Sequence, residues 1–384
     1  MDFTYDEEQQ ALREAVRGLV GKAYSDFESR RQAVAGDPGF DEKMWARLAE
    51  MGILGLPFPE EYGGMGAGAI EVGIVAQEFG RVLVPEPFLT SVVLAGGVIA
   101  AAGTEEQKSD LLGALTEGSV IPTFAHAEPG TRWQPTASGV TATQDSDGWA
   151  LSGVKEPVPH GARADVLIVS AVLPDGGTGL FVVQGDAGGL TREDYSTYDG
   201  GRAAKVSFDG TAATPLGSAG SGPEDRSGLI ARVLDIARIT ACNEAIGLME
   251  VALEQTSAYL KSRKQFGVTL NTFQALTFRA ADMYVSLELA RSLAVWATMV
   301  LAGGSGEEAA TAASRASLGV SRAGRHIGQE AIQLHGGIGM TAEYSIGSYT
   351  SRLTALDHLL GDGDHHLGLL AAGVAGYAEV DPLP

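Results

Sequence analysis

The residues best equipped for chemistry stand between two helix-forming stretches: Lys261, Ser262, Arg263, Lys264, Gln265, Phe266 and Gly267. A guanidinium is a planar fork suited to a diphosphate, and a phenylalanine offers a flat face to a ring system. The same residues also fit a plainer role. Cations complement the negative end of a helix dipole and a glycine commonly follows it, in which case Phe266 is ordinary core. A second group is LDHLLGDGDHH, residues 356–366, with Asp357, His358, Asp362, Asp364, His365 and His366. Carboxylates and imidazoles bind zinc or iron. Here Gly361 and Gly363 break the helix that would align them, so no metal is expected, only a turn with the histidines covering the last helix. Gly63, Gly64, Gly66 and Gly68 lack the preceding strand and following Lys-Ser/Thr of a phosphate loop, and predict a tight connection between helices.

The elements that must position these groups follow from periodicity. Ile239, Ile246, Met249, Leu253 and Leu260 share one stripe of a helix that ends at the basic turn. A second helix begins near Phe273, with Leu276, Ala280, Met283, Leu287, Ala290, Ala294 and Ala297 on one face; alanine-rich stripes allow close packing in a bundle. At the amino end, Thr4 and Glu7 fit a capping box before Leu12, Val16, Leu19 and Val20. Further helices are predicted over 41–56, near 69–80, from Leu89, and from Thr104. Beyond Val120 the pattern changes to short β-branched runs, from Val140, Val166, Gly179 and Ala203. Their close spacing leaves no room for crossover helices and predicts a barrel or sandwich, not a doubly wound sheet. The predicted fold is therefore α+β: a helical domain over 1–119, a β domain over 120–215, a linker over 216–227, and a helical bundle over 228–384. Arg13, Arg17 and other scattered cations read as surface charges.

Composition narrows the function classes. A chain of 384 residues with 45% hydrophobic content can bury a large core. A net charge of −21 argues against nucleic acid or an anionic membrane as partner. The single cysteine, Cys242, excludes an internal disulfide framework and fits a reducing compartment. The amino terminus is acidic where a signal peptide is basic, and no run reaches membrane-spanning length, so a cytoplasmic protein is expected.

RKQFG (263–267), Phe273 and Gln274, and AADM (280–283), together with QLHGGIGMTAEY (333–344), resemble the acyl-CoA dehydrogenase family. MGILGLPFPEEYGGMG and LSGVKEPVPHGARADVLIVSA extend the resemblance over the whole chain, as does the order helices, β domain, helical bundle. The resemblance implies FAD as cofactor, an acyl-CoA substrate, electron-transferring flavoprotein as electron acceptor, and a tetramer. It implies that Arg263, Gln265, Phe266, Gln274, Gln333, Gly336 and Gly337 contact the FAD of a neighbouring subunit. GVKEPVPHG, AHAEP and GDGDHH further resemble the small subunits of pimeloyl-CoA-type dehydrogenases.

Family members place their catalytic glutamate at one of two positions, which fall on Leu360 and Ala237 in this chain; neither residue can remove a proton. The family's Thr-Glu-Pro and Ser-Asp positions fall on Ala127 and on Arg132 and Trp133, and its Trp and Thr positions on Pro157 and Pro159. Proline has no backbone donor and no hydroxyl to offer a flavin. The expectation is a supporting subunit of a heteromeric dehydrogenase, completing the flavin site of a paralogous catalytic subunit. Two alternatives stay open. One is a self-sufficient homo-oligomer using another carboxylate, Asp362 first, then Asp364 or Asp235. The other is a non-enzymatic assembly or ligand-binding protein on the same fold.

Overall fold

The computed structural model describes residues 4–374 apart from 132, 147, 218–222 and 305. Part of the expected linker and the position of Arg132 therefore lie outside the described residues. The chain opens with α1 (Glu7–Ala23), α2 (Phe27–Ala35), α3 (Glu42–Glu50) and α4 (Ala69–Val82). A π-helical stretch, Phe88–Gly96, runs into α5 (Gly97–Ala102), and α6 (Glu105–Thr116) follows. The first cap differs from the expected one. Asp6, not Thr4, accepts the Gln9 N–H at 2.8 Å while the Gln9 side chain returns to the Asp6 N–H at 3.2 Å. The predicted helix over 41–56 stops at Glu50, because Gly52 takes a left-handed φ of 74° and turns the chain into a short 3-10 segment. Helix α2 was not predicted, since its sequence FESRRQAVA carries almost no apolar stripe. Arg13 and Arg17 are not plain surface charges: both clamp the buried Glu78 of α4, at 2.9 and 2.8 Å, and dock α1.

Seven strands follow: β1 (Pro122–Ala125), β2 (Thr141–Asp145), β3 (Gly148–Pro159), β4 (Val166–Val172), β5 (Thr178–Gln184), β6 (Leu190–Ser196) and β7 (Arg202–Pro215). β4 pairs with β2, β2 with β3, β3 with β7, β7 with β5 and β5 with β4, so the sheet closes on itself. β1 lies parallel on β4, and β6 antiparallel on β7. Leu151, Val158, Leu167, Val169, Phe181, Val206 and Phe208 fill the barrel. β1 is four residues long and β6 is mostly exposed, which is why neither stood out by alternation.

The rest is helical: α7 (Ser227–Ser262), a small hairpin of β8 (Lys264–Gln265) and β9 (Val268–Thr269), α8 (Gln274–Ala302), α9 (Gly306–His335), α10 (Ile346–Leu359) and α11 (Gly363–Gly373). α4, α8, α9 and α10 all pack on α7, and the alanine stripe of α8 is buried from Met283 to Ala297. Contrary to expectation, α8 is long and apolar enough to cross a membrane by length and composition. It nevertheless lies along α7 and α9, tied to them by Arg291–Glu250 and Arg279–Glu330 ion pairs. The architecture is an amino-terminal helical layer, a central β-barrel and a carboxy-terminal helical bundle.

Candidate functional site

The seven sequence-predicted flavin contacts come together at one end of the bundle. Where α7 ends, the Arg263 N–H still reaches the Tyr259 carbonyl at 2.8 Å, and the Leu270 N–H returns to the Arg263 carbonyl at 2.9 Å. Between them β8 and β9 pair Lys264 with Thr269 and Gln265 with Val268. The two turn residues, Phe266 and Gly267, have φ of 54° and 84°. A two-residue hairpin matching strand twist requires positive φ at both central positions, and asparagine-glycine is the usual solution. Phenylalanine is a costly choice there, and its ring is 91% exposed. It is not ordinary core; it meets only the edge of Phe273, 6.2 Å away between centroids.

The end of α9 arrives at the same place. His335 is buried between Tyr259 and Tyr344, with ring centroids at 4.6 and 5.0 Å, and Ser345 donates to Gln255 of α7 at 3.0 Å. Burial holds the His335 imidazole below its usual range, and Nδ1 is engaged by the Ala331 carbonyl at 2.7 Å. Gln333, Gly336 and Gly337 are exposed on this end, as are Arg263, Gln265 and Gln274. Gly336 has a φ of 66° and ends α9. Gly337 has no such need. A Cβ there would touch nothing in this chain, so its smallness is not explained by the chain's own packing. An exposed cation, three exposed glutamines, an exposed aromatic ring and an open glycine pair fit a flavin nucleotide presented from outside.

The second region lies at the middle of α7. Ala237 is wholly buried, and Leu360 caps α10 with its carbonyl accepting from Arg238 Nε at 2.8 Å. Asp235 pairs with Arg238 Nη1 at 2.8 Å; burial pushes its carboxyl up despite that partner. Asp362 is the N-cap of α11, accepting the His365 N–H at 2.8 Å. Asp364 sits in the first turn of that helix. Gly361, at φ 123°, forms the expected turn, and a side chain there would strike His365 and His366. His366 is buried and pushed down to about 3 by that burial, then by Arg238. Neither of its ring nitrogens has a partner. Among the described residues no three histidine, cysteine or carboxylate side chains group to hold a metal ion.

Facing this corner is the barrel rim. The Trp133 indole N–H donates to the His358 carbonyl at 3.0 Å, and its ring lies 5.3 Å from that of His365. Trp133 reaches this contact from a left-handed φ of 58°. Trp133, Pro157, Pro159, Leu359, Leu360 and Arg238 enclose a small space of about 70 Å³. Below it, Lys155, 0% exposed, donates to Glu128 at 2.6 Å, to Ser170 Oγ at 2.9 Å and to the His126 carbonyl at 3.0 Å. Burial raises Glu128, but Lys155 and the N–H groups of Val140 and Ser138 outweigh it and hold the carboxyl at about 2. Pro157 and Pro159 offer neither hydroxyl nor backbone N–H here and Ala127 no hydroxyl, while Thr131, Gln134 and Thr136 also line this space.

Sequence reading missed a junction at Asp199, in the turn between β6 and β7. Its carboxylate meets Arg352 of α10 at 2.8 Å, its carbonyl takes Arg30 of α2 at 3.1 Å, and Arg352 also reaches Glu244 of α7 at 2.7 Å. Four distant segments meet there, and no local pattern announces it.

The fold and the two-ended arrangement define a flavin-dependent oxidoreductase scaffold. Residues 6–119 match the acyl-CoA dehydrogenase N-terminal domain and residues 228–375 the acyl-CoA dehydrogenase C-terminal domain. A probable acyl-CoA dehydrogenase of Bacillus subtilis, YngJ, is 29% identical over 361 residues, covering 90% of this chain and 92% of that protein. Among solved structures, a variant of the Tcur3481-Tcur3483 steroid ACAD is 33% identical, with a TM-score of 0.86 over 96% of this chain and 98% of that one. A chain of the ChsE4-ChsE5 complex from Mycobacterium tuberculosis is 25% identical, with a TM-score of 0.87 over 99% of this chain and 100% of that one. This chain belongs to the acyl-CoA dehydrogenase family, whose members are oxidoreductases acting on CH–CH bonds.

Proposed function

We propose that this chain is a supporting subunit of a heteromeric acyl-CoA dehydrogenase, completing an FAD site whose base and ring-facing residues belong to a paralogous catalytic subunit. The observation that carries the reading is the contrast between the two regions. Leu360 and Ala237 occupy both places where the family carries its glutamate, and Trp133 and two prolines crowd the chain's own cleft. The outward end keeps every expected polar group exposed.

In this reading FAD supplies the hydride acceptor, as flavins do. Arg263 grips the diphosphate with its fork, Phe266 covers an apolar ring, and Gln265, Gln274 and Gln333 give neutral hydrogen bonds. Gly336 and Gly337 let the nucleotide approach the backbone. The proton adjacent to the thioester leaves to a carboxylate of the partner, because this chain holds none at either position. The similarity to the ChsE4-ChsE5 complex supports a mixed assembly, expected as a tetramer since each flavin site spans two chains. The Acidaminococcus fermentans relative, whose structure concerns an electron-transferring flavoprotein, supports such a flavoprotein as electron acceptor. The steroid ACAD relative supports a bulky acyl group. The domain division 1–119, 120–215 and 228–384, and a cytoplasmic location away from membrane and nucleic acid, are part of the same reading.

The homo-oligomeric alternative is disfavoured by Asp362, which is committed to capping α11. Asparagine caps a helix as well as aspartate, so Asp362→Asn is expected to change neither stability nor turnover. The deciding experiment is the flavin-to-chain ratio and mass of the protein, alone and co-expressed with an adjacent paralogue. The expected result is a colourless chain alone and about half an FAD per chain in a mixed tetramer. One FAD per subunit and full turnover from this chain alone would overturn the proposal.

A further inference from the structure

His335 stands where a phenylalanine would fill the same space without leaving a polar atom inside the chain. It is 3% exposed, and its ring lies between Tyr259 of α7 and Tyr344 beyond the glycine turn, with centroids at 4.6 and 5.0 Å. Nδ1 meets the Ala331 carbonyl at 2.7 Å. A carbonyl only accepts, so Nδ1 carries the proton and the neutral imidazole keeps a bare Nε2. That nitrogen is buried and has no partner in the chain. An acceptor buried without a donor costs stability, which makes histidine a poor choice for packing alone.

The segments of the outward end close on this ring. Tyr259 stands one turn before Arg263, whose N–H reaches the Tyr259 carbonyl at 2.8 Å. Gln333 lies two residues before His335, and Gly336 and Gly337 follow it directly. Gly339 folds the turn back on it: a Cβ there would come within 3.1 Å of the His335 Cβ and 2.9 Å of the Ile332 carbonyl oxygen. Tyr344 is fastened to α7 through its neighbour Ser345, which donates to Gln255. One imidazole therefore joins the arginine hairpin to the glycine turn. The titratable groups facing it are Tyr259 from α7 and Tyr344 from the segment after the turn. Burial holds the imidazole below its usual range, opposed by the Ala331 carbonyl, and no charged group among the described residues bears on it.

We propose that His335 is a positioning residue for the flavin nucleotide: clamped as a neutral imidazole between Tyr259 and Tyr344, it holds Arg263 and the Gly336–Gly337 backbone in register, and acid loosens that hold. The inference rests on the supporting-subunit reading and names the part of its flavin site that responds to pH. Protonation places a hydrogen on Nε2, where nothing in the chain accepts it. The hold is thus complete above the ordinary value of 6.5 and is lost as pH falls below it toward the lowered folded value. His335 takes no part in the proton or hydride transfer itself.

The test measures FAD affinity of the mixed complex by flavin fluorescence, at about pH 7.5 and about pH 5.5, on either side of the usual histidine range. At the higher pH His335→Phe keeps both ring contacts and is expected to bind FAD within about twofold of wild type, whereas His335→Ala binds it about tenfold more weakly. Lowering the pH is expected to weaken FAD at least about twofold more in wild type than in His335→Phe, a difference that ring packing alone does not produce. Should His335→Ala not fold, Tyr344→Leu removes one face, leaves the bond to Ala331, and is expected to weaken FAD about threefold. His335→Phe as weak as His335→Ala, His335→Ala as tight as wild type, or the same pH response in wild type and His335→Phe would overturn the proposal. Arg263→Ala separates the two ways of failing. If it weakens FAD while the His335 variants do not, only the positioning role falls; if FAD is indifferent to Arg263 as well, the nucleotide lies elsewhere and the supporting-subunit reading falls with it.

Discussion

One helix serves two regions of opposite character. Around Ala237 and Arg238, α7 is buried, and Arg238 is committed to the Leu360 carbonyl and to Asp235 of the same chain. At Arg263 to Gly267 the same helix ends in an exposed hairpin beside an open glycine turn. The first region has been turned over to holding the chain together, whereas the second keeps groups whose exposure brings this chain no stability. A residue retained at a cost to its own fold is best explained by something outside it.

The comparison is tested most severely at the sealed region. Lys155→Met leaves Glu128 buried without its cation and is expected to cost about 3–5 kcal/mol of unfolding free energy by chemical denaturation. In the supporting-subunit reading, material that still folds keeps its contribution to the partner's flavin. A flavin deficit in a folded Lys155→Met complex, at undiminished stability, would place the flavin in this chain's own cleft and reverse the assignment.

Glu86 gives an effect of similar sign with a pH signature. Its folded pKa, about 7, is raised above the ordinary 4.5. The neutral carboxyl therefore contributes stability that is complete below pH 4.5 and is lost as pH rises to about 7. At one unit per ~1.4 kcal/mol, the loss amounts to about 3 kcal/mol. His160 and His126, both pushed down to about 4, run the other way, losing stability as pH falls from 6.5. Their contribution cancels when wild type is compared with Glu86→Gln. The difference between the two proteins is expected to shift in favour of the variant between pH 4.5 and 7, and a flat difference would show that Glu86 is ionised in the folded state.

At the outward end the expected loss falls on flavin, not on folding. Arg263→Ala removes charge-assisted hydrogen bonds worth about 1.5–3 kcal/mol, so flavin affinity of the mixed complex should fall roughly ten- to a hundredfold. The denaturation midpoint of the isolated chain should stay within about 0.5 kcal/mol of wild type. A chain that unfolds on losing Arg263 would make the basic turn a simple helix terminus, the plainer of the two roles its sequence allows.

How much of this was legible in the sequence follows from the range of each interaction. The helical stripes of α7 and α8 depend on residues three to seven apart, and they emerge where expected. So do four of the barrel strands, each a run of alternating or β-branched residues. The outward end was legible because RKQFG and QLHGG are contiguous, although nothing in them tells that Tyr259, His335 and Tyr344 stack to bring them together. The sealed region was legible only by substitution, as Leu360 and Ala237 where a base is expected. Trp133 bridging to His358, the Asp199 junction, and Arg13 and Arg17 on Glu78 join residues 61 to 225 positions apart, and sequence carries no local sign of such pairs. α2 left no periodic sign in the sequence, because it buries only Arg30.

The smallest predicted effect separates the two regions most cleanly, because its two readouts move in opposite directions. Phe266 holds a left-handed φ that asparagine tolerates far better in a two-residue hairpin. Phe266→Asn is therefore expected to stabilise the isolated chain by about 0.5–1 kcal/mol, read from the denaturation midpoint. In the mixed complex the same change removes an aromatic face and should weaken flavin retention several-fold, since such ring contacts are worth about 0.5–1.5 kcal/mol. Stabilisation without flavin loss would show Phe266 to be a tolerated imperfection of the hairpin. Destabilisation would show that its contact with Phe273 outweighs the backbone strain, and that the outward end, like the sealed one, serves this chain first.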